Sequence, residues 1–385
     1  MSKKQPFVSI IVVNFNGKKL IKKCLDSLFK IDYPDRRFEI IVVDNCSQDD
    51  SVKFIKHKYK KVRVIENRQN NYCQACNLGI LKSKGSYIVL LNNDVVVKKN
   101  WLSELVKPIE KDKSIGAVTS MLLKKNGVIQ NAGLYELPNF YWDERGAGKK
   151  PEKYASMTEI DAISGACALY RKAALKDIGL LDEDFVMFGE DVDMAIRFKK
   201  KGWKLEYTPF STAYHKKHGS CNEEFTREAV EKNRLLLIAK HYPDKLTNAL
   251  IGNGHFIVKE GKQKSGRFFE LLPDIFIKLA KEHGHLAADG IMKDAFVELE
   301  KILNYENKKL EEEIKNLLDD LIETKKDREH YKKQEENYKK DIEEVSKNLN
   351  GLSQNLNTTQ NELQAYKDEV SNLSNKLKIS LGKRR

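Results

Sequence analysis

The sequence predicts an α/β protein: a mainly parallel sheet flanked by helices, then a helical region and a long coiled coil. Three observations predict it. Gap-free apolar runs such as Ile88–Leu91 suit strands buried on both faces of a parallel sheet. Such runs alternate with stretches whose apolar residues recur every three or four positions, the pattern of βαβ units. From Leu303 onward the chain lacks proline and carries a sustained heptad seam.

Taken in order, Phe7–Val13 is the first strand, and Asn14-Phe15-Asn16-Gly17 is the turn after it. Leu20, Ile21, Cys24, Leu25 and Leu28 predict a helix over 18–29. Tyr33-Pro34-Asp35 breaks it. Glu39–Val43 is the second strand, closed by Asp44-Asn45-Cys46-Ser47. A short helix over 51–58, a strand over 62–65 and a loop-to-helix segment over 70–81 follow. Tyr87–Leu91 is the fourth strand, ended by Asn92-Asn93-Asp94, after which Val95–Val97 resumes the apolar run. Trp101–Glu110 reads as a helix, Gly116–Leu123 as a strand, and Gly133–Lys150 as a loop, either an acceptor-side flap or plain surface. Ile163–Tyr170 reads as a strand entered through a small-residue turn, with a helix following Asp193.

The 385 residues carry a formal net charge of +13, unevenly spread. Residues 291–385 hold 19 basic and 20 acidic residues; the first 290 hold 50 and 36, a net of +14. A basic body suits polyanions, nucleoside diphosphates or an anionic membrane face. No RNA-binding signature accompanies the charge, so no nucleic-acid partner is expected. Six scattered cysteines contain one Cys-x-x-Cys, at Cys73 and Cys76, without the second pair or histidines of a zinc site. No secretory leader or apolar run of spanning length is read, so a cytoplasmic location is expected, with peripheral membrane contact.

No Gly-x-Gly-x-x-Gly or Walker loop follows the first strand, which removes the dinucleotide and P-loop readings. Polar groups stand at the strand ends instead: Asn14 and Asn16, Asp44, then Asn92 to Asp94. A carboxylate at the carboxyl end of a central strand lies where open α/β sheets bind ligands. Asp94 is a hard oxygen ligand suited to Mg²⁺ or Mn²⁺ carrying a diphosphate; taken alone, the stretch reads more readily as a strand ending in a polar turn. In Phe188-Gly-Glu-Asp-Val-Asp193, three carboxylates within four residues repel one another unless a cation, an arginine, a proton or a helix N-terminus relieves them.

Val-Ser-Ile-Ile-Val-Val-Asn-Phe-Asn-Gly (8–17), Ile-Ile-Val-Val-Asp-Asn-Cys-Ser-Gln-Asp (40–49) and Leu-Leu-Asn-Asn-Asp (90–94) together resemble the donor half of family 2 glycosyltransferases with a GT-A fold, in a rhamnosyltransferase-like form. The resemblance covers residues 7 to 240, including Lys232-Asn233-Arg234. It implies that Asp44 faces a pyrimidine base, that Asn14, Asn16, Asn77 and Asn92 belong to the donor site, and that Asp94 ligates the metal. It further implies that Asp191 is the general base, that Glu190 orients it, and that Gly165 and Asp193 lie on the acceptor side. A histidine completing the metal site is His215 or His218, His215 being favoured because it directly follows an apolar strand end. Asn71 stands where the family usually has Gly, and tolerance of left-handed backbone would preserve that turn.

The implied activity is inverting transfer of a sugar, rhamnose among the candidates, from a UDP or dTDP donor to a glycan or lipid-linked hydroxyl. A nucleotidyltransferase acting on sugar phosphates is an alternative, weakened by the poor match of Asn14-Phe-Asn-Gly17 to a Gly-rich basic loop. A non-catalytic coiled-coil scaffold is another, opposed by the presence of Asp44, Asp94 and Asp191. Domain boundaries are expected at 1–240 (catalytic), 241–300 (helical) and 301–385 (coiled coil). With Leu303 at d, 17 of the 22 a and d positions to Leu377 are aliphatic or Tyr, so a homo-oligomer is expected.

Overall fold

The computed structural model describes residues 5–216, 223–249, 272–284 and 287–295, with isolated helical positions beyond. The heptad seam from Leu303 onward falls almost wholly outside the described residues, as does His218. Two compact units divide the chain, 1–234 and 235–385.

The first unit runs β1 (Val8–Asn14), α1 (Lys18–Leu28), β2 (Phe38–Asn45), α2 (Ser51–Lys58), β3 (Arg63–Asn67), α3 (Tyr72–Lys82), β4 (Tyr87–Asn92) and β5 (Val95–Val97). It continues through α4 (Trp101–Lys111), β6 (Ile115–Leu123), β7 (Ile129–Asn131), β8 (Leu134–Leu137), β9 (Tyr141–Glu144), β10 (Thr158–Glu159) and β11 (Cys167–Arg171). Then come α5 (Lys172–Ile178), α6 (Glu190–Lys200), β12 (Lys204–His215) and the start of α7 (Glu223–His241). Strand order is β10-β12-β6-β11-β4-β1-β2-β3, with β5 on β12 and β7 on β6.

The sheet is mixed rather than mainly parallel. β1, β2, β3 and β4 pair in parallel, as do β6 and β12, but β11 is antiparallel to both β4 and β6. The reason is connectivity: β11 enters from a loop at the carboxyl end of β4, without the crossover helix that a parallel neighbour needs. The apolar runs are buried as their composition requires, Val8–Asn14 throughout and β6 along all its length. On one face α1 inserts Ile21, Cys24, Leu25 and Leu28, and α4 inserts Trp101, Leu102, Leu105 and Ile109. On the other, Gly79 of α3 lies so close to the sheet that a Cβ there would sit 2.5 Å from Ile11 Cγ2. Truncating a buried Leu or Ile in such a core costs about 2–5 kcal/mol.

Several boundaries differ from expectation. Residues 133–150 are not an open loop: β8 and β9 form an antiparallel hairpin, bridged at Leu134 to Ala162. The strand expected over 163–170 begins only at Cys167, and the one expected over 62–65 spans Arg63–Asn67. Asn71 is extended (φ −132°), not left-handed; it caps α3 by accepting from Gln74 N at 3.0 Å. Glu190 begins α6 rather than preceding it, so Glu190, Asp191 and Asp193 occupy its first turn.

In the second unit, α8 (Leu272–His283) buries Ile275, Phe276 and Leu279, and residues 287–295 are helical. Among the described residues no helix is long and apolar enough to cross a membrane.

Candidate active site

The carboxyl ends of β1, β2 and β4 lie level, Asn14 opposite Asp44 and Val13 opposite Asn92. Asp44 accepts from Ser47 N (3.0 Å) and from Asn14 Nδ2 (3.3 Å). Asn14 itself is fully buried. Its Nδ2 also reaches Ser51 Oγ at 3.0 Å, and its Oδ1 accepts from Asn93 Nδ2 at 2.9 Å. Both ends of the Asn14 amide are therefore spent inside the protein, and Asn14 is a brace for Asp44 rather than a donor contact. Gly17 makes this possible, since a Cβ there would lie 2.3 Å from Asn93 Nδ2. Asn16 sits at the exposed rim with φ +46°, accepting from Gln48 N at 2.7 Å.

Asp94 follows β4 in the turn to β5. The β5–β12 ladder sets Val95 opposite His215, which delivers the histidine to the aspartate across 121 residues of sequence. His215 Nε2 stands 3.1 Å from Asp94 Oδ1, and their side chains are 10% and 8% exposed. Behind the ring, Gln130 Nε2 lies 3.0 Å from His215 Nδ1. Among the described residues no group of three or more His, Cys, Asp or Glu could hold a metal ion. Those residues thus offer one carboxylate oxygen and one imidazole nitrogen. Such a pair suits Mg²⁺ or Mn²⁺ when phosphate oxygens and water complete the shell, so the residues present fit a divalent ion carried with a diphosphate.

The second carboxylate group reaches the same strand end by another route. β11 begins two residues after Gly165, antiparallel to β4, and Asn92 N donates to Ala166 O at 3.0 Å. Gly165 N donates to Asp191 Oδ2 at 2.9 Å, and Val192 N donates to Asp191 Oδ1 at 2.9 Å. A Cβ on Gly165 would stand 3.2 Å from both Asp191 Oδ2 and Glu190 Oε1, so a larger residue would press both carboxylates back by a few tenths of an ångström. Tyr72 Oη contacts Asn92 Oδ1 at 3.2 Å and Gly165 O at 3.5 Å, tying the two halves together.

The loop that presents Glu190 is held in unusual backbone. Val186, Phe188 and Gly189 have φ of +58°, +71° and +80°; for a β-branched residue this is costly, about 1–3 kcal/mol, and persists only when its surroundings hold it. Asn233 of α7 does the holding: its Nδ2 lies 2.9, 2.7 and 2.6 Å from the carbonyls of Phe185, Met187 and Phe188. Cys73 N adds a bond to Val186 O at 3.2 Å. The next residue, Arg234, donates to Asn139 O in the β8–β9 turn and lies over the Tyr141 ring. One turn of α7 therefore fastens both the hairpin and the carboxylate loop.

Burial pushes both carboxyls up. Glu190 rises from 4.5 to about 8, first by desolvation and then by the charge of Asp191. Asp191 is also raised, first by desolvation, against the pull of the Gly165 and Val192 N–H groups. Among the described residues Glu190 Oε2 has no hydrogen-bond partner, though it is buried. The folded state thus holds the Glu190 proton more tightly than the unfolded chain, so stability is lost as pH rises from about 4.5 to about 8. Glu190→Gln removes that proton, and its melting temperature should gain on the parent's from about pH 5 to about pH 9. Melting curves that shift in parallel across this range would place the raised group elsewhere.

Two further expected contacts are corrected. Asn77 is buried and bonded to Leu181 on both sides, Nδ2 to its carbonyl and Oδ1 from its N–H, each at 2.9 Å. It fixes α3 to the loop after α5 instead of facing the donor. Asp193 is 0% exposed and pairs with Arg197 at 2.6 Å one turn on, so it is closed to an acceptor. Gln130 and Asn233 carry no motif of their own; only Asn233 lay within a stretch, Lys232-Asn233-Arg234, that the sequence marked out.

The chain is similar to several known proteins. Residues 9–179 match the family described as Glycosyl transferase family 2. The chain is 25% identical over 209 residues to the poly-beta-1,6-N-acetyl-D-glucosamine synthase of Staphylococcus epidermidis, covering 52% of this chain and 48% of that one. It is 22% identical over 244 residues to the dolichyl N-acetyl-alpha-D-glucosaminyl phosphate 3-beta-D-2,3-diacetamido-2,3-dideoxy-beta-D-glucuronosyltransferase of Methanococcus voltae, covering 59% and 69%. The chain thus spans about half the length of the first of these relatives. Among solved structures, GalNAc-T7 with UDP, GalNAc and Mn²⁺ superposes with a TM-score of 0.52 at 20% identity, covering 64% of this chain and 50% of that one. Residues 9–179 are thus similar to glycosyltransferase family 2, and the mixed sheet flanked by helices is a GT-A-like α/β fold.

Proposed function

We propose that the chain is a metal-dependent, inverting glycosyltransferase acting on a UDP- or dTDP-sugar. One observation carries this reading: the Asp94–His215 pair and half-buried Asp191, held by Gly165 N beside buried Glu190, both stand at the carboxyl end of β4. Asp94 and His215 would hold the Mg²⁺ or Mn²⁺, which when bound neutralises charge on the diphosphate leaving group. Asp44, braced by Asn14 and Ser47, faces the pyrimidine, with Asn16 and Asn92 at the rim of the same crevice. Asp191 takes the proton of an acceptor hydroxyl as its oxygen attacks the anomeric carbon from the face opposite the diphosphate. The Gly165 N–H and the α6 N-terminus fix that carboxylate in line with the attack, and Gly165 leaves the acceptor room to approach. Glu190, protonated near neutrality, keeps a second charge away from Asp191. A rhamnosyl donor and a lipid-linked or cell-surface glycan acceptor follow the resemblance of the motifs. The test is release of nucleoside diphosphate from a panel of UDP- and dTDP-sugars in Mn²⁺. Release that a chelator abolishes supports the reading, and no release from any donor refutes it.

The heptad seam from Leu303 to Leu377 completes the proposal as a homo-oligomerising tail, with catalysis confined to the first 300 residues or so and peripheral contact at the inner face of the cell membrane. Light scattering should give the full chain at micromolar concentration a mass of two or more copies, and a version ending near Ile302 the mass of one. A monomeric full chain overturns the oligomer.

A further inference from the structure

We infer that Gln130 is a positioning residue for the metal site, selecting the tautomer in which His215 can act as a ligand. The inference rests on the reading that Asp94 and His215 hold a divalent ion. Gln130 is 1% exposed, on the three-residue strand β7, and its Oε1 has no hydrogen-bond partner among the described residues. Its Nε2 faces His215 Nδ1 at 3.0 Å, and His215 Nε2 faces Asp94 Oδ1 at 3.1 Å. In this arrangement the amide donates to Nδ1, and the ring hydrogen sits on Nε2, where it bonds the aspartate. A ligating Nε2 must give up that hydrogen to Nδ1, and Nδ1–H then needs an acceptor. The two ends of a carboxamide have nearly the same shape, and turning it by half a revolution exchanges them. The buried, unpartnered Oε1 then accepts from Nδ1–H. Gln130 can therefore serve the ring in both tautomers: as donor when His215 binds Asp94, and as acceptor when His215 turns its lone pair to a cation. Partners of this kind orient a ligating imidazole and increase its basicity.

The test is an electron paramagnetic resonance titration of the full chain with Mn²⁺, alone and with UDP, for the parent, Gln130→Met and Gln130→Glu. Methionine keeps the volume and apolar packing but accepts no useful hydrogen bond, and Mn²⁺ affinity should fall by about 10- to 100-fold. Glutamate can only accept, and should match or exceed the parent. A purely structural role predicts the opposite order, since a buried site tolerates Met better than an added charge. Circular dichroism confirms that both variants fold. A Met variant that binds like the parent, or a Glu variant that loses as much as Met, overturns the role of Gln130. A parent that binds no Mn²⁺ with or without UDP overturns the metal reading itself.

Discussion

Asp191→Asn is expected to lower turnover by about 10²- to 10⁴-fold while nucleotide affinity stays within error of the parent's. The carboxylate is held from two sides, by Gly165 N on Oδ2 and Val192 N on Oδ1, and it heads α6 behind the left-handed Gly189. Asparagine keeps that shape but is no base. The upward shift of Asp191 also fixes the sign of the pH dependence. A base must be deprotonated, so rate falls as pH drops through its raised value, and the acid limb of the parent's profile lies above the ordinary aspartate range. Steady-state rates beside calorimetric nucleotide affinity separate the two effects. A variant with parental turnover would put the base on another group.

Asp94→Ala should remove the part of nucleotide binding that depends on metal. Alanine deletes one of the two proposed ligands and leaves His215 Nε2 without its 3.1 Å partner. Loss of even an outer partner of a metal ligand costs about 10- to 100-fold in affinity, so loss of a ligand should cost at least that. Calorimetry of UDP binding in Mn²⁺ should show the variant no tighter than the parent in chelator. Equal affinities of variant and parent in Mn²⁺ would exclude Asp94 from the site.

Strands β1, β2 and β4 of this fold were legible because they are largely buried on both faces, which leaves gap-free apolar runs ending in polar residues. Val8–Asn14, Phe38–Asn45 and Tyr87–Asn92 all show this, and Asp44 and Asp94 stand where the runs predict. Polarity at a strand end does not say which way an amide turns. Asn14 and Asn77 resemble donor contacts, yet each has its donors and acceptors consumed by the protein. Asp193 resembles an acceptor contact because its partner Arg197 lies one turn away on the same helix, a spacing that shows itself only once α6 is known to begin at Glu190. The hairpin of β8 and β9 was hidden by four-residue strands joined through left-handed Asn139 and Phe140, too short for a period to register. Gln130 was invisible for a different reason: it meets His215 across 85 residues, through strands that share β6 as a neighbour, and no local pattern encodes such a contact.

The central claim is that one crevice holds the diphosphate through Asp94 and His215. Crystals grown with UDP and Mn²⁺, measured at the manganese absorption edge, test it directly. The account predicts an anomalous peak bonded to Asp94 Oδ1 and His215 Nε2, with the UDP diphosphate on its far side and the uracil against Asp44. Ordered UDP with the peak on other side chains, or with no peak, would contradict it.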